Sequence, residues 1–429
     1  MQISKPTILV VAHEISPVRG SECAEGWRIA CELSKDPTTN YIFLCADGPQ
    51  YQSGLYQQEI ERQVPLNKLG SVEFIYVRRS KFWAGLSQAN SRFRHSSVGL
   101  AVIYYLCYAA WLREARKLAA ALIKNRQVNG IHLLTQITIR GSGRFYDLGV
   151  PFIWGPTGGN FTLPFSFIMS LSGSLFFVEL VRKLLHPFIL PVRRIKKAAG
   201  NARMVFCFSD EDLKFFKKNN VSTKFLPDAG CETNSINFIL RKYRSDQPLR
   251  LIWIGQIIGR KGLDILVETI ASLPQSYRSK VRLSVIGSGA RQSYCQDLAK
   301  RLGVAQLIEF LGQLPREELD DVRRRAHLMV HTSYREACTH VIPEAISNGL
   351  PVAAHDCCGM SIMLKDNGFL VPLKSRRESI EGFKQLFIEI LDRPSLIGEK
   401  SSLTKNIIDE YSWERIAMQF RKTYAQLGK

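Results

Sequence analysis

The segment from Tyr334 to Gly359, Y-R-E-A-C-T-H-V-I-P-E-A-I-S-N-G-L-P-V-A-A-H-D-C-C-G, is the stretch whose reading decides the fold. One apolar run, Leu328 to Val330, feeds it, and a second, Pro351 to Ala354, lies at its far end. The order is strand, loop, short helix, strand, which is the repeating unit of a parallel α/β sheet. Pro343 suits the first turn of the helix, where a missing N–H costs nothing. Free amides from about Cys338 to Ile342 would make the mouth of that helix an anion-binding arrangement. Glu336 and Glu344 stand eight residues apart on either side of that mouth. Carboxylates flanking an anion site make sense for a ligand with phosphates and hydroxyls together, as in a sugar nucleotide. Spacing alone is equally compatible with a surface helix carrying two solvated glutamates.

The rest of the chain bounds the choice. At 429 residues it is too long for a typical single core, and two domains of about 200 residues each are expected. With 45% hydrophobic and 22% charged residues the composition is that of a globular protein. The net charge of +20 points to a polyanionic partner. A nucleic acid is the weaker choice because no nucleic-acid module is recognisable, which leaves phosphorylated substrates or an anionic membrane surface. Ten cysteines are scattered without a CxxC pair or metal-ligand spacing, the pattern of a reducing cytosol. The N-terminus has no signal-peptide layout.

Thr7 to Ala12 is a continuous apolar run, expected to be a central strand covered on both faces. A loop with Pro17 and Gly20 follows it, then a helix from about Glu22 to Leu33 with Ser21 as N-cap. Gly20 would let a backbone approach a ligand at this strand end, or would be a mere turn glycine. Further strands are expected at Tyr41 to Ala46, Val72 to Val77, Ile131 to Leu134, Phe152 to Gly155 and Met204 to Phe208. In the second half they are expected at Leu249 to Ile254, Arg282 to Gly287, Ile308 to Leu311, Leu328 to Val330, Pro351 to Ala354 and Gly368 to Val371. The polar stretch between Cys231 and Arg250 marks the boundary, giving domains over 1–235 and 236–405 and a closing helix over 406–429. That helix carries Trp413, Ile416, Ala417, Phe420 and Tyr424 at helical spacing behind a Ser412 N-cap.

Val98 to Leu112 is uncharged but too short to span a bilayer. Phe161 to Val178 runs into a basic, leucine-rich stretch with Arg182, Lys183, Arg193, Arg194, Lys196 and Lys197. This reads as a segment lying on an anionic membrane surface, or as an amphipathic helix packed on its own domain.

In L-I-W-I-G-Q-I-I-G-R-K-G-L-D, residues 251–264, a strand ends at Gly255 and a helix begins near Gly262. Arg260 and Lys261 sit at that junction, where a phosphate meets cations and a helix start. The order of a Walker A loop is missing. Glycines at later strand ends, as in V-I-G-S-G around Gly287 and F-L-G-Q-L around Leu311, let backbone groups reach a base or ribose. Asp210-Glu211-Asp212 is assigned to helix capping with Ser209, so no metal site is expected.

These elements together resemble the family 4 retaining glycosyltransferases, which have the GT-B fold of two facing Rossmann-like domains with parallel sheets and a C-terminal helix crossing back to the first. The resemblance covers nearly the whole chain. It rests on H-E-I-S-P-V-R-G-S-E, P-F-I-W-G-P-T-G-G, G-Q-I-I-G-R-K-G-L-D, the paired glutamates and Y-S-W-E-R. It implies that Glu336 contacts the donor sugar and that Lys261 binds the diphosphate and stabilises the leaving group. It implies donor contacts from Gly20, Gln256, Arg260, Gly287, Leu311, Cys338, Thr339 and His340, with Glu344 on the ribose hydroxyls. His132, Thr157 and Gly158 fall on the acceptor side. No metal and no cofactor is implied. The partners would be a nucleoside-diphosphate-sugar and a saccharide or lipid-linked saccharide acceptor, at the inner face of the plasma membrane. Gln256 stands where the family has an arginine, Leu134 where many members have a histidine, and Cys358 where a glycine is common. The rivals are another GT-B enzyme, such as a hydrolysing sugar-nucleotide epimerase, and an inactive membrane-bound scaffold.

Overall fold

The computed structural model describes residues 5–20, 22–49, 52–64, 68–92, 100–135, 138–171, 173–189, 192–232, 238–336 and 339–427. Among the described residues, fourteen strands form two sheets. The first contains β1 (Thr7–Ala12), β2 (Asn40–Ala46), β3 (Lys68–Leu69), β4 (Val72–Val77), β5 (Gly130–Leu133), β6 (Phe152–Thr157), β7 (Ala202–Cys207) and β8 (Thr223–Phe225). Its spatial order is β3-β4-β2-β1-β5-β6-β7-β8. The second contains β9 (Leu249–Ile254), β10 (Val281–Ile286), β11 (Ile308–Gly312), β12 (Leu328–His331), β13 (Val352–Asp356) and β14 (Phe369–Pro372), ordered β11-β10-β9-β12-β13-β14. Every pairing is parallel except β3 with β4. Central strands are buried along their length, as their continuous apolar runs require when helices cover both faces.

In each sheet the winding direction reverses once: between β1 and β5 in the first and between β9 and β12 in the second. Loops leaving the carboxyl ends of strands at such a point splay apart and leave a crevice. The loops after β9 and β12 carry Lys261 and Glu336, and those after β1 and β5 carry Glu22 and Arg140. Both crevices open into one interdomain cavity.

Helix Glu22–Ser34 lies where the sequence places it; its proposed cap, Ser21, is outside the described residues. From Leu100 onward the apolar stretch lies in the longer helix Leu100–Asn125, whose Tyr108, Trp111, Leu112, Ala115 and Ala119 are buried in the first domain; Val98 and Gly99 lie outside the described residues. The Phe161 to Val178 stretch breaks into helices Phe165–Met169 and Gly173–Ile189. Among the described residues no helix is long and apolar enough to cross a membrane. These two helices dock on the second domain, where Phe167 packs on Tyr334 at 5.1 Å between ring centres. The first joins its core through Phe167 and Ile168, and Phe176 and Leu180 of the second pack against it.

The closing helix, Trp413–Tyr424, returns to the first domain. Ser412 accepts a hydrogen bond from the Arg415 amide at 3.0 Å, and Trp413, Ile416, Ala417, Phe420 and Tyr424 join the first domain's core. The anchor at its end is His132. Its Nε2–H donates to the Gly155 carbonyl at 2.6 Å, so Nδ1 accepts from the Tyr424 hydroxyl at 2.6 Å. Burial pushes this imidazole down to about 4, which keeps it neutral and suited to that pattern. His132 is thus a core histidine and not part of the acceptor side.

Candidate active site

The interdomain cavity has a volume of about 750 Å³. On its second-domain wall, the chain after β9 makes a tight helical turn, Gly259–Lys261, ahead of helix Leu263–Ser272. The chain after β12 runs beside it, tied by Tyr334 N–H donating to the Arg260 carbonyl at 3.1 Å and by Ser333 Oγ donating to the same carbonyl at 3.1 Å. This brings Lys261 Nζ against the Glu336 carboxylate and sets Arg260 3.0 Å from the same oxygen. Burial alone would raise the Glu336 carboxyl, but Lys261, Arg260 and His331 outweigh it and hold it at about 2. One carboxylate serving two cations leaves the wall net positive.

Gln256 is exposed on the same wall, and Arg260 supplies the guanidinium there. Thr339 and His340 line it too. Cys338 lies outside the described residues. The helix that follows, Val341–Ser347, is short, and its Ile342 amide already donates to the Thr339 carbonyl at 3.1 Å. The run of free amides expected up to Ile342 therefore ends before it. Glu344 turns away into a second lobe of about 360 Å³ that meets the first at His340. There it pairs with the buried Arg323, and Gly20 faces it from the first domain, with open space within 4 Å of where a Cβ would stand.

Besides His132, three expected site residues line neither lobe of the cavity. Leu311 packs on the second domain's core and lines a separate recess with Val322 and Ala326. Gly287 serves backbone packing: a Cβ there would stand 1.9 Å from the Gly255 carbonyl oxygen. Thr157 is buried in β6 and does not reach the cavity. Its neighbour Gly158 does, wedged so closely that a Cβ would meet Asp212 Oδ2 at 2.5 Å.

Asp212 explains the P-T-G-G loop. Ser209 Oγ accepts from the Asp212 amide at 3.1 Å, as a helix cap does, while the Asp212 carboxylate accepts from Gly159 N–H at 3.2 Å and Asn160 N–H at 3.1 Å. Burial pushes this carboxyl up to about 6 against those hydrogen bonds. Its lone pairs are occupied by the loop, which fits capping and not metal binding.

Residues 236–406 match the family model of group 1 glycosyl transferases. The match falls on the half of the chain that contains the second sheet. A stretch of 121 residues is 35% identical to the lipopolysaccharide glucosyltransferase WaaG of Escherichia coli (strain K12), covering 28% of this chain and 32% of that one. Another of 183 residues is 28% identical to the D-inositol 3-phosphate glycosyltransferase of Streptomyces griseus, covering 40% and 38%. The chain thus spans about a third of the length of these curated relatives. Solved structures match over the whole length. The lipopolysaccharide outer core galactosyltransferase WaaB superposes with a TM-score of 0.62 at 12% identity, covering 98% of this chain and 99% of that one. Anabaena Alr3699/HepE in complex with UDP-glucose superposes with 0.56 at 16% identity, covering 98% and 99%. These likenesses show the GT-B fold.

Apart from the P-T-G-G loop, the first-domain wall of this GT-B cavity was not readable from motifs. Glu25 and Asp228 meet there, and burial together with Asp228 and Glu22 holds the Glu25 carboxyl well above the usual carboxylate range. Arg140, Arg182 and His186 line another part. The four-residue spacing of Arg182 and His186, one face of a helix, was the only signal, inside a stretch read as membrane-facing. Leu134 is buried in the core, so the cavity's first-domain histidine is His186. Cys358 takes a left-handed backbone, φ 57°, at the cavity floor, the conformation that favours the glycine it replaces.

Proposed function

We propose that this protein transfers a sugar, with retention, from a nucleoside-diphosphate-sugar to a hydroxyl of a lipid-linked saccharide acceptor in cell-surface polysaccharide or lipopolysaccharide assembly. The observation that carries this reading is the grouping of Lys261, Arg260 and Glu336 on one cavity wall at the second sheet's switch point. The two cations neutralise the diphosphate, and Lys261 takes up charge developing on the leaving group. Glu336, kept ionised, accepts from donor sugar hydroxyls near the reacting carbon. Glu344, in the adjoining lobe opposite Gly20, accepts from the ribose hydroxyls. Thr339 and His340 flank the phosphates, His340 at the junction of the lobes. The diphosphate itself helps deprotonate the acceptor on the same face of the sugar, so the reading calls for no cofactor and no metal.

The enzyme works at the cytoplasmic face of the membrane, held there by the exposed apolar and basic side chains of the helices between β6 and β7. The test of the donor site is thermal unfolding of the full chain with UDP, GDP, ADP, CDP or dTDP. One of them, at about a hundred times its dissociation constant, should add about 2.7 kcal/mol and raise the midpoint by about 3 °C. Lys261→Ala should weaken that nucleotide's binding about tenfold or more. Stabilisation by none of the five would remove this reading.

A further inference from the structure

The loop after β5 holds Arg140 at the first sheet's switch point, opposite the cations of the donor wall. Thr138 bridges to Gly158, and the Ile139 amide donates to the Gly158 carbonyl at 3.0 Å, so this turn is fixed to the P-T-G-G loop. Helix Gly173–Ile189 brings Arg182 and His186 to the same side of the cavity. Arg140 and His186 line the same cavity, and the charges of Arg140 and Lys183 both lower the His186 imidazole.

The cavity's cations differ in how they are compensated. Lys261 and Arg260 share Glu336, and Arg335 and Arg182 share Glu179 at 3.1 and 2.8 Å. Arg140 has no carboxylate partner among the described residues, and its buried Nε has no hydrogen-bond partner. The buried His186 Nε2 lacks one as well. Such donors are completed by water or by a ligand, and a guanidinium facing a cavity is shaped to hold an oxyanion through two parallel hydrogen bonds. The carboxylates on this wall do not fill the role. Asp212 is taken up by the loop amides, and Arg140 makes no ion pair with Glu22, Glu25 or Asp228 among the described residues.

We propose that Arg140, with Arg182 and His186, forms an anion subsite on the first-domain wall that binds a phosphate or carboxylate group of the acceptor, so that the acceptor is an acidic sugar. This rests on the transferase reading above. The donor's diphosphate has its own cations at the other sheet's switch point, so the two anions are kept apart. Burial, then Arg140 and Lys183, lower the His186 imidazole's affinity for a proton, against a hydrogen bond to the Gly159 backbone that raises it. An oxyanion seated between Arg140 and His186 reverses the sign of that field and gives Nε2 a partner.

The test compares glucose 6-phosphate, glucuronate and glucose as ligands of the full chain held with the stabilising nucleoside diphosphate. At least one acid should bind about tenfold or more tightly than glucose, and which one does so names the anion. Arg140→Gln should abolish that preference while nucleoside diphosphate binding stays within about twofold. His186→Gln, measured in parallel, should reduce the preference and serves if Arg140→Gln fails to fold. Equal or absent binding of the three sugars, or a preference untouched by these variants, overturns the subsite. Loss of nucleoside diphosphate binding by the unmodified chain instead overturns the donor site, so the two failures are told apart.

Discussion

Single residues in this protein are set by which charges they meet out of water. Glu336 is nearly buried yet ionised because two cations face it, whereas burial, with Asp228 and Glu22, holds the Glu25 carboxyl well above the usual carboxylate range. Histidines follow the same rule. Burial lowers His13, His132, His186, His327, His331 and His355, with His132 at about 4 and His331 at about 3. An unfolded histidine takes its proton near 6.5, so between there and about 4 the unfolded chain binds more protons at these sites. Their contribution to stability is full above 6.5 and is lost as the pH falls. Glu25, Glu211 and Asp212 oppose this, since their raised carboxyls take protons earlier in the folded state. Six groups against three leave the histidines ahead, each worth up to about 1.4 kcal/mol per pH unit. The urea midpoint should be lower at pH 5 than at pH 7; an equal or higher midpoint at pH 5 would contradict these assignments. The meeting of Lys261 and Glu336 on one cavity wall was legible in the sequence because each follows a strand end, where a local motif records it. Arg140, Arg182 and His186 meet only through the tertiary fold, and no spacing along the chain encodes that meeting.

Among the elements, the ends of β9 and β10 show how tightly the donor wall is built. The Gly255 amide donates to the Ile286 carbonyl at 3.0 Å, and the Gly287 amide to the Gly312 carbonyl at 2.7 Å. Gly287 has φ 124°, and a Cβ there would lie 1.9 Å from the Gly255 oxygen. Any side chain must displace the strand end from which Gln256, Arg260 and Lys261 follow. Gly287→Ala should therefore cost about 3 kcal/mol or more and weaken nucleoside diphosphate binding with it. Gly20→Ala, where a Cβ meets open space, should leave stability nearly unchanged. Urea unfolding of both variants decides, and a Gly287→Ala protein as stable as its parent would refute the packing argument. The buried strands were legible because continuous apolar runs leave little alternative in a sheet covered on both faces; their ends moved by one or two residues, where neither periodicity nor composition changes sharply. β3 and β8 were missed because two- and three-residue edge strands, Lys68–Leu69 and Thr223–Phe225, hold too few residues to show a period.

On the scale of the whole molecule, helix Gly173–Ile189 joins three surfaces. Glu179 holds Arg335 of the second domain beside Glu336, and Arg182 and His186 face the cavity. Outward, Phe177, Val181, Leu184 and Leu185 follow helical spacing and are 43–64% exposed. Phe165 and Met169 on the preceding helix add to them, and Arg193, Arg194, Lys196 and Lys197 on helix Val192–Gly200 are exposed nearby in the chain. An apolar stripe bordered by cations is the arrangement that lies in a lipid headgroup layer, where apolar burial and attraction to anionic lipid act together. The protein should float with vesicles containing phosphatidylglycerol, less with phosphatidylcholine alone, and less again in high salt. Replacing Phe177 and Leu184 together by aspartate should reduce vesicle binding about tenfold or more while leaving nucleoside diphosphate binding intact, because both side chains point away from the cavity. Equal recovery with the two lipids, or binding unaffected by the double substitution, would return this stripe to the status of an ordinary exposed surface. If it binds as argued, the helix that meets the lipid is the one that holds Arg335 and lines the acceptor wall, so a lipid-linked saccharide would reach the cavity along the element that anchors the enzyme.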